Sequence, residues 1–359
     1  MQANPLVSIC VPLYNGSKFI KAAIDSCINQ SYTNVEIIVV DDGSTDDSIR
    51  MMEDMAMNYP QIKFFSNKAN LGLVKNWEKC IELASGDWIK FLFQDDYMYP
   101  DCVEKMMKAA IKYNAQFVLC AREFIFDESA LEETRLFLGD LLVKPEHIFR
   151  NKEYYTPDES IGIVKSFLFD NVLGEPICTL FHKELFSAVG GFDKSLRQLV
   201  DYEFNLKIIL NYPFAFIPEK LIEFRVHSES ESGKNTTNKT KEDQFKPTLI
   251  QSIQGDQLKL IEIYRTNKLF EPLKKYWGED RLDIYEQFIY LHACRRKGAE
   301  RIDDVLKETK ENSPHLRELK YGWLKYKFMK MKYKRLVKPF LNEGKPDYEM
   351  VKKNKGRRN

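Results

Sequence analysis

Two pairs of adjacent aspartates stand directly after apolar segments of this chain. Asp41 and Asp42 end "VEIIVVDD", and Asp95 and Asp96 end "DWIKFLFQDD". Neighbouring carboxylates raise each other's pKa unless a cation neutralises them. Mg²⁺ or Mn²⁺ would neutralise Asp95 and Asp96 through oxygen ligands and keep free positions for substrate phosphates. The alternative for this second pair is that both residues are solvated loop acids.

The first pair has two explanations as well. An aspartate at a strand end accepts hydrogen bonds from a nucleobase edge or a ribose, and Gly43 lets the backbone approach a ligand closely. Alternatively, the segment caps a helix, with Ser44 or Asp46 accepting from free amides at the next helix start. Taken alone, this segment favours the cap.

Two further polar residues stand at the ends of predicted elements. Asp201 opens "DYEFNLKIIL", where the positive end of the helix dipole is by itself enough to explain an acid. His227 closes "KLIEFRVH", and a lone histidine is most often structural or merely exposed. His227 becomes a candidate because the aspartates also lie at strand ends.

The elements that must position these residues alternate between strand and helix over roughly the first 120 residues. Apolar runs predict strands at 6–13, 35–44, 62–67, 87–96 and 115–121, with helical spacing between them. Repeated strand–helix units predict a parallel, doubly wound α/β sheet with helices on both faces. Ligands bind beyond the carboxyl ends of such strands, and all four aspartates fall there.

The remainder of the chain is less regular. Residues 177–193 predict a strand, a short helix and a Gly-Gly turn, and 201–210 predict a helix before a last strand at 220–227. A polar stretch follows, and helical spacing dominates beyond about residue 246. We therefore expect an α/β domain over 1–228, a polar linker or loop over 229–245, and a helical C-terminal region over 246–359 with a disordered tail.

Composition narrows the class of protein. Lys and Arg total 54 against 53 Asp and Glu, so the whole chain has no bias towards an anionic partner. No apolar run reaches the about 18 residues of a membrane span, and no signal peptide is evident. The seven cysteines form no CxxC pair, which favours reduced, buried thiols and a cytoplasmic location. No GxGxxG follows a strand, which excludes a dinucleotide-dependent dehydrogenase.

Six segments occur in an order and at spacings that resemble the inverting glycosyltransferases of family 2, of the bacterial polysaccharide type. They are "VSICVPLYNG", "AIDSCINQSY", "VEIIVVDDGSTDDS", "NLGLVKNWEKCIELASGDWIKFLFQDD", "GGFD" and "VDYEFNLKI". The likeness covers roughly residues 5–228. It implies a GT-A fold, the nucleotide-diphospho-sugar transferase fold, with a Rossmann-like, mostly parallel sheet. Residues 1–228 would then be the catalytic domain.

The resemblance implies a nucleotide site. Pro12 and Tyr14 would line a uracil or thymine pocket, with Tyr14 stacking on the base. Asp42 would accept from the base N3–H, which selects a pyrimidine nucleotide. Gly72 and Asn76 would border the nucleotide, so the implied donor is a UDP- or dTDP-sugar.

The resemblance also implies a metal site and a catalytic base. Asp95 would contact the ribose or a metal-bound water, and Asp96 would ligate Mg²⁺ or Mn²⁺. His227 would approach the metal or the diphosphate after substrate binds, and Asp201 would be the base. The implied reaction is a metal-assisted single displacement that transfers a hexosyl or N-acetylhexosaminyl group to a hydroxyl of a glycan or a lipid-linked acceptor.

Two departures from the family pattern support other functions. Phe93 stands where many relatives carry an additional aspartate, and Val200 stands where a glutamate often precedes the base. Both leave open the alternative of a catalytically degenerate paralogue that serves as a scaffold or as a glycan- or nucleotide-binding protein. A nucleotidyltransferase on a similar fold would need a glycine-rich, arginine-bearing loop after the first strand, which "PLYNGSKF" lacks.

The segment "KYGWLKYKFMKMKYKRLVKPF" holds eight Lys or Arg residues among aromatics and methionines. At helical spacing, one side collects Lys320, Lys327, Lys330, Lys334 and Lys338. This pattern suits a helix lying on the anionic inner face of the cell membrane, near a lipid-linked acceptor. The alternative is a helix packed on the catalytic domain with a solvated basic face. No nucleic-acid-binding module accompanies the basic residues, so we expect no nucleic acid partner.

Overall fold

A computed structural model describes residues 4–136, 138–139, 144–149, 152–165, 167, 171–230, 249–297, 316 and 323–338. It divides the chain into two units. The first comprises Met1–Pro157 and Asn171–Asp256, and the second comprises Asp158–Asp170 and Gln257–Asn359. Residues 231–248, which hold most of the predicted linker, and the predicted disordered tail lie outside the described residues.

Among the described residues, the first unit contains one sheet of nine strands. The strands are β1 (Val7–Leu13), β2 (Val35–Asp41), β3 (Ile62–Ser66), β4 (Trp88–Phe91), β5 (Tyr97–Met98), β6 (Phe117–Phe126), β7 (Tyr154–Tyr155), β8 (Thr179–His182) and β9 (Phe214–Val226). Their order in the sheet is β3-β2-β1-β4-β8-β6-β9-β5, and β7 pairs with the start of β9.

The longer pairings in this sheet are parallel. They join β3 to β2, β2 to β1, β1 to β4 and β6 to β9. β8 runs antiparallel between β4 and β6, and the two-residue strands β5 and β7 are antiparallel additions to β9. β1 is buried at every position, which explains why all its residues but Ser8 are apolar; Ser8 Oγ donates to Glu36 Oε1. Its register sets Leu13 opposite Asp41, so the loops after β1 and β2 begin side by side.

Helices follow the strands in the alternation that the apolar spacing predicts. In chain order they are α1 (Ile20–Ile28), α2 (Ser48–Asn58), α3 (Leu73–Leu83), α4 (Cys102–Tyr113), α5 (Glu132–Leu136), α6 (Pro145–Ile148), α7 (Pro157–Val164), α8 (Lys183–Ala188), α9 (Val200–Asn211), α10 (Leu249–Thr266), α11 (Glu271–Trp277), α12 (Glu279–Lys297) and α13 (Trp323–Lys332). The predicted α/β class is confirmed, and so is a helical C-terminal region.

β4 is shorter than the strand predicted at 87–96. It ends at Phe91, and the backbone then turns, with Asp96 N donating to Phe93 O at 3.1 Å. Phe93 belongs to this turn and not to the strand. It is apolar because its ring stacks on Trp77, with centroids 5.3 Å apart, and it therefore made the predicted strand too long. Asp95 and Asp96 consequently lie on a loop beyond the carboxyl end of the strand.

The second unit is held by polar contacts between its helices. Trp277 is buried, and its Nε1 donates to Lys165 O at 3.0 Å. Arg265 on α10 forms ion pairs with three carboxylates that follow α11: Glu279, Asp283 and Glu286. After α13, Tyr333 lies in a π-helical turn and stacks on Phe288 of α12 with centroids 4.1 Å apart. Within the described ranges, no helix is long and apolar enough to cross a membrane.

Candidate functional site

The loops after β1 and β2 are fixed to each other by side-chain to backbone hydrogen bonds. Asn15 N donates to Ser44 Oγ at 2.8 Å, and Thr45 N donates to Asn15 Oδ1 at 2.8 Å. Asn15 has a φ of 48°, a left-handed conformation that asparagine tolerates. Pro12 is buried within β1, whereas 45% of Tyr14 is exposed. The ring that we expect to stack on a base is therefore accessible.

Asp42, Gly72 and Asn76 belong to one hydrogen-bond network. Asp42 Oδ1 accepts from Asn67 Nδ2 at 3.0 Å and from Leu71 N at 2.8 Å, and its Oδ2 accepts from Gly72 N at 2.9 Å. Asn67 Nδ2 also lies 3.1 Å from Asn76 Oδ1. Gly72 has a φ of 87°, which glycine adopts without strain. The structure thus brings together three residues that the sequence assigns to the nucleotide.

The helix-cap explanation applies to another acid of the same segment. Of the two predicted cap residues, Ser44 instead accepts from Asn15 N through its Oγ at 2.8 Å. Asp46 Oδ1 accepts from the amide of Ser48, the first residue of α2, at 3.1 Å. Asp42 makes its contacts with the loop before α3 and takes no part in the cap.

Asp95 and His227 form a hydrogen-bonded pair. Asp95 Oδ2 lies 3.0 Å from His227 Nε2. Arg225 Nε donates to the backbone oxygen of Asp95 at 3.0 Å, and the rings of Phe19 and His227 lie 4.8 Å apart. While this pair is formed, Nε2 of His227 is engaged by Asp95, so it is not available as a ligand for an ion.

Asp96 is buried, and only one of its carboxylate oxygens is satisfied. Oδ1 accepts from Arg225 N at 2.8 Å, whereas Oδ2 has no hydrogen-bond partner among the described residues. Burial, together with the charge of Asp95, raises the pKa of Asp96 well above its usual range. An adjacent cation would reverse this shift. The orphaned oxygen therefore fits Mg²⁺ or Mn²⁺, although the described part of the chain has no cluster of three metal-ligating side chains.

Asp201 lies in the first turn of α9, where it is 8% exposed. Its Oδ1 accepts from Tyr202 N at 2.7 Å, and its Oδ2 accepts from Asn171 Nδ2 at 3.3 Å. Burial, together with the charge of Glu175, raises the pKa of Asp201 to about 7. A pKa near neutrality suits a general base. Burial to this extent argues against a surface acid that only complements the helix dipole.

Glu203 stands two residues further along α9 in a different environment. It is buried and lies 3.0 Å from Lys207, which also donates to the backbone oxygen of Gly191 at 2.8 Å. Burial raises the pKa of Glu203 to about 7. Its ion pair with Lys207 makes Glu203 part of the core of the unit.

Sequence reasoning missed three charged residues that hold this region. Arg122 Nη2 donates to Glu175 Oε1 at 2.9 Å. The Asp256 carboxylate accepts from the backbone N–H groups of residues 197–199, directly before α9, at distances of 2.5 to 3.1 Å. Neither contact follows a motif or a periodic pattern, because each joins segments more than 50 residues apart in the sequence.

Gln94 joins the nucleotide side of the candidate site to the acid pair. Its Oε1 accepts from Tyr14 N at 2.7 Å, and its Nε2 donates to Tyr14 O at 3.1 Å. The loop after β1 is thereby tied to the loop that carries Asp95 and Asp96. All the candidate residues belong to the first unit.

Sequence comparison identifies relatives of this chain. Residues 8–173 match a family model described as Glycosyl transferase family 2. A chondroitin synthase of Escherichia coli is 30% identical over 283 residues, which cover 78% of this chain and 37% of that protein. An uncharacterized glycosyltransferase of Rickettsia typhi is 31% identical over 227 residues, which cover 62% of this chain and 65% of that protein. The chain spans less than two thirds of the length of either relative.

Two solved structures are similar to this chain over most of its length. S. aureus TarS 1–349 in complex with UDP-GlcNAc matches at a TM-score of 0.57 and 15% identity, covering 92% of this chain and 91% of that one. Mannosyltransferase PcManGT from Pyrobaculum calidifontis, in complex with GDP-Man and Mn²⁺, matches at a TM-score of 0.54 and 15% identity, covering 95% and 86%. The likeness at this identity concerns the fold, and it confirms the predicted GT-A fold.

Proposed function

We propose that this chain, whose residues 8–173 match the Glycosyl transferase family 2 model, is an inverting transferase that uses a UDP- or dTDP-sugar. The acceptor is a hydroxyl of a glycan or of a lipid-linked oligosaccharide. The observation that carries the proposal is Asp201, a buried carboxyl group whose pKa is raised to about 7. An acid of this kind accepts a proton near neutral pH.

The nucleotide would bind across the loops after β1, β2 and β3. Tyr14 offers an exposed ring for stacking on a pyrimidine. Asp42 already accepts from three donors, and a carboxylate has about four acceptor sites, so it can take one more bond from a base N3–H. Gly72 and Asn76 would border the nucleotide through the same network.

Asp96 would hold Mg²⁺ or Mn²⁺ through its unsatisfied Oδ2, and His227 would join it only after leaving Asp95. A cation at this position, when bound, stabilises the negative charge of the departing diphosphate. Since few protein ligands are near, the remaining coordination sites would be filled by phosphate oxygens and water. Asp95 would contact the ribose or one of these waters.

In the proposed reaction, the acceptor oxygen forms a bond to the anomeric carbon as the bond from that carbon to the diphosphate oxygen breaks. Asp201 takes the proton of the acceptor hydroxyl, and the electron pair of the broken bond leaves with the diphosphate. Attack from the face opposite the leaving group inverts the anomeric centre. The protein supplies no nucleophile of its own.

A nucleotide-sugar screen tests the proposal. Wild-type protein with Mn²⁺ is incubated with UDP- and dTDP-sugars, and release of UDP or dTDP is measured with and without EDTA. We expect release that EDTA and Asp96→Ala both abolish, and that Asp201→Asn reduces by about two orders of magnitude or more. Binding of UDP without any turnover would instead support a degenerate paralogue that acts as a scaffold.

The basic segment at residues 327–338 would attach this cytoplasmic protein to the inner face of the membrane. Its described side chains include exposed apolar ones, namely Phe328, Met331 and Leu336. Exposed basic residues alternate with them, and no acidic residue occurs between 319 and 342. Cationic and apolar side chains on one helix suit the surface of an anionic bilayer. Lys320, part of the predicted basic side, lies outside the described residues.

Sedimentation with lipid vesicles tests this attachment. One variant changes to Gln three exposed basic residues of the segment: Lys332, Lys334 and Arg335. A matched control changes to Gln three exposed lysines of the first unit: Lys21, Lys108 and Lys112. We expect wild type and control to sediment with phosphatidylglycerol vesicles but not with phosphatidylcholine, and the first variant to remain in solution. Equal sedimentation of both variants would contradict the attachment.

A further inference from the structure

The segment 171–178 is fixed at four points between α9 and β4. Asn171 Nδ2 donates to Asp201 Oδ2, Asn205 Nδ2 donates to Gly174 O, Arg122 pairs with Glu175, and Lys90 Nζ donates to Ile177 O. α9 carries Asp201 and β4 leads into the loop of Asp96, so the segment joins the elements that position these two acids. Glu175 is the ionisable residue at its centre.

Glu175 presents the accessible end of a buried ion pair. The side chain of Arg122 is 2% exposed, whereas that of Glu175 is 21% exposed. Gly174 has a φ of 83°, and a Cβ on it would lie 3.0 Å from Arg122 Nη1, so glycine leaves room for the guanidinium. A ligand that contacts this carboxylate would do so through Oε1, because Oε2 is buried against the guanidinium of Arg122.

The charge of Glu175 acts on both of the acids that the proposed reaction uses. It contributes to raising the pKa of Asp96, on the diphosphate side, and of Asp201, on the acceptor side. The donor sugar must lie between these sides, because its anomeric carbon joins the leaving oxygen to the attacking one. Glu175 is therefore placed beside the sugar ring.

We propose that Glu175 contacts the donor sugar and restricts the donor to neutral hexoses, excluding those that carry a carboxylate at C6. The inference deepens the proposed function and rests on it. A hydroxyl group of a neutral sugar donates to Glu175 Oε1, and a bond to a charged acceptor is among the stronger hydrogen bonds. A sugar carboxylate would bring a like charge into a partly desolvated region that already holds three acids.

Matched pairs of donors isolate the charge at C6. UDP-glucose is compared with UDP-glucuronate, and UDP-galactose with UDP-galacturonate, because each pair differs only at that carbon. Dissociation constants are measured by isothermal titration calorimetry with Mn²⁺, using the dTDP-sugars if dTDP binds more tightly than UDP. We expect the uronate of each pair to bind at least about tenfold more weakly to the wild type.

Glu175→Gln removes the charge and keeps the shape of the side chain. We expect this variant to bring each uronate to within about threefold of its neutral partner and to leave the affinity for UDP alone unchanged. Since Glu175→Gln leaves Arg122 without its counter-charge, the double variant Arg122→Met with Glu175→Gln removes the pair together and gives the same readout. The matched control is Glu123→Gln, because Glu123 is a more exposed acid that pairs with Lys220. In this control, the difference in dissociation constant between the uronate and its neutral partner should stay as in the wild type for both donor pairs.

The outcomes separate this inference from the proposed function. Equal or tighter binding of the uronates to the wild type, or an unchanged difference in both Glu175 variants, overturns the role of Glu175. The proposed function still stands in that case if the wild type releases UDP or dTDP from a nucleotide sugar in an EDTA-sensitive way. Failure of the wild type to bind UDP, dTDP and every sugar derivative overturns both.

Discussion

Replacing Asp201 with asparagine measures what it costs to keep this carboxylate buried. In the folded protein the pKa of Asp201 is raised from 3.8 to about 7, chiefly by desolvation. The folded state therefore holds the proton more tightly than the unfolded state, and stability falls as the pH rises from about 4 to about 7. At about 1.4 kcal/mol per pKa unit, ionised Asp201 costs roughly 4 kcal/mol of unfolding free energy above pH 7.

Asparagine carries no charge at any pH, so it avoids this cost. It loses one acceptor for Asn171 Nδ2, a long contact of 3.3 Å. Subtracting about 1 kcal/mol for that contact, we expect Asp201→Asn to be about 3 kcal/mol more stable than the wild type near pH 8. Near pH 5, where most wild-type molecules carry a proton on Asp201, the gain should shrink to about 1 kcal/mol or less.

Urea unfolding at both pH values measures these differences, and UDP binding verifies that the site is intact. Glu203→Gln is the matched control, because Glu203 lies on the same helix with its pKa also raised to about 7. Its pKa remains raised although Lys207 lies 3.0 Å away, so Glu203→Gln should also gain stability near pH 8 and gain less near pH 5, but it should keep transfer because Glu203 is not the proposed base. The Asp201 variant should gain stability while losing transfer.

Two results would refute this reasoning. If Asp201→Asn is less stable than the wild type near pH 8, the carboxylate is stabilised by contacts that outweigh its desolvation. If the gain is the same near pH 5 and near pH 8, the pKa of Asp201 does not lie between these values.

Asp256→Ala removes the acceptor of the backbone N–H groups before α9, and it should lower the free energy of unfolding, measured in urea, by about 3 kcal/mol. Asp256→Asn keeps one acceptor oxygen, so it should lower this free energy by about half as much. Lys90→Met leaves two buried backbone oxygens without their donor and should cost about 2 kcal/mol in the same assay. Tyr14→Ala should weaken UDP binding about tenfold by calorimetry, and Tyr14→Phe, which keeps the ring, should not. The transfer rate at saturating Mn²⁺ should rise through about pH 7 as Asp201 loses its proton, and a flat profile would exclude it as the base.

The sequence predicts the strands well where burial on both faces requires apolar residues at nearly every position, as in β1, where Ser8 is the exception. The prediction of strand ends fails where a partly buried apolar residue belongs to a turn. Phe93 is such a residue, and it made the predicted fourth strand too long. The positions of Asp42 and Asp96 at strand ends follow from the alternation of elements. Their partners do not, because Asn67 comes from a separate loop that periodicity cannot align with Asp42. For the same reason the sequence does not reveal Asp256, which accepts from backbone N–H groups that precede α9, more than 50 residues away.

The acids of the site are not interchangeable, because their partners differ. Asp95 lies 3.0 Å from His227, and Glu175 pairs with Arg122, so each faces a cationic or proton-donating group. Among the described residues, neither Asp96 nor Asp201 has a cationic side chain within ion-pair distance, and burial raises the pKa of both. Two buried acids cannot both ionise cheaply without compensation. A bound cation with its diphosphate would offset the charge of Asp96, which leaves Asp201 as the acid free to exchange a proton near neutral pH.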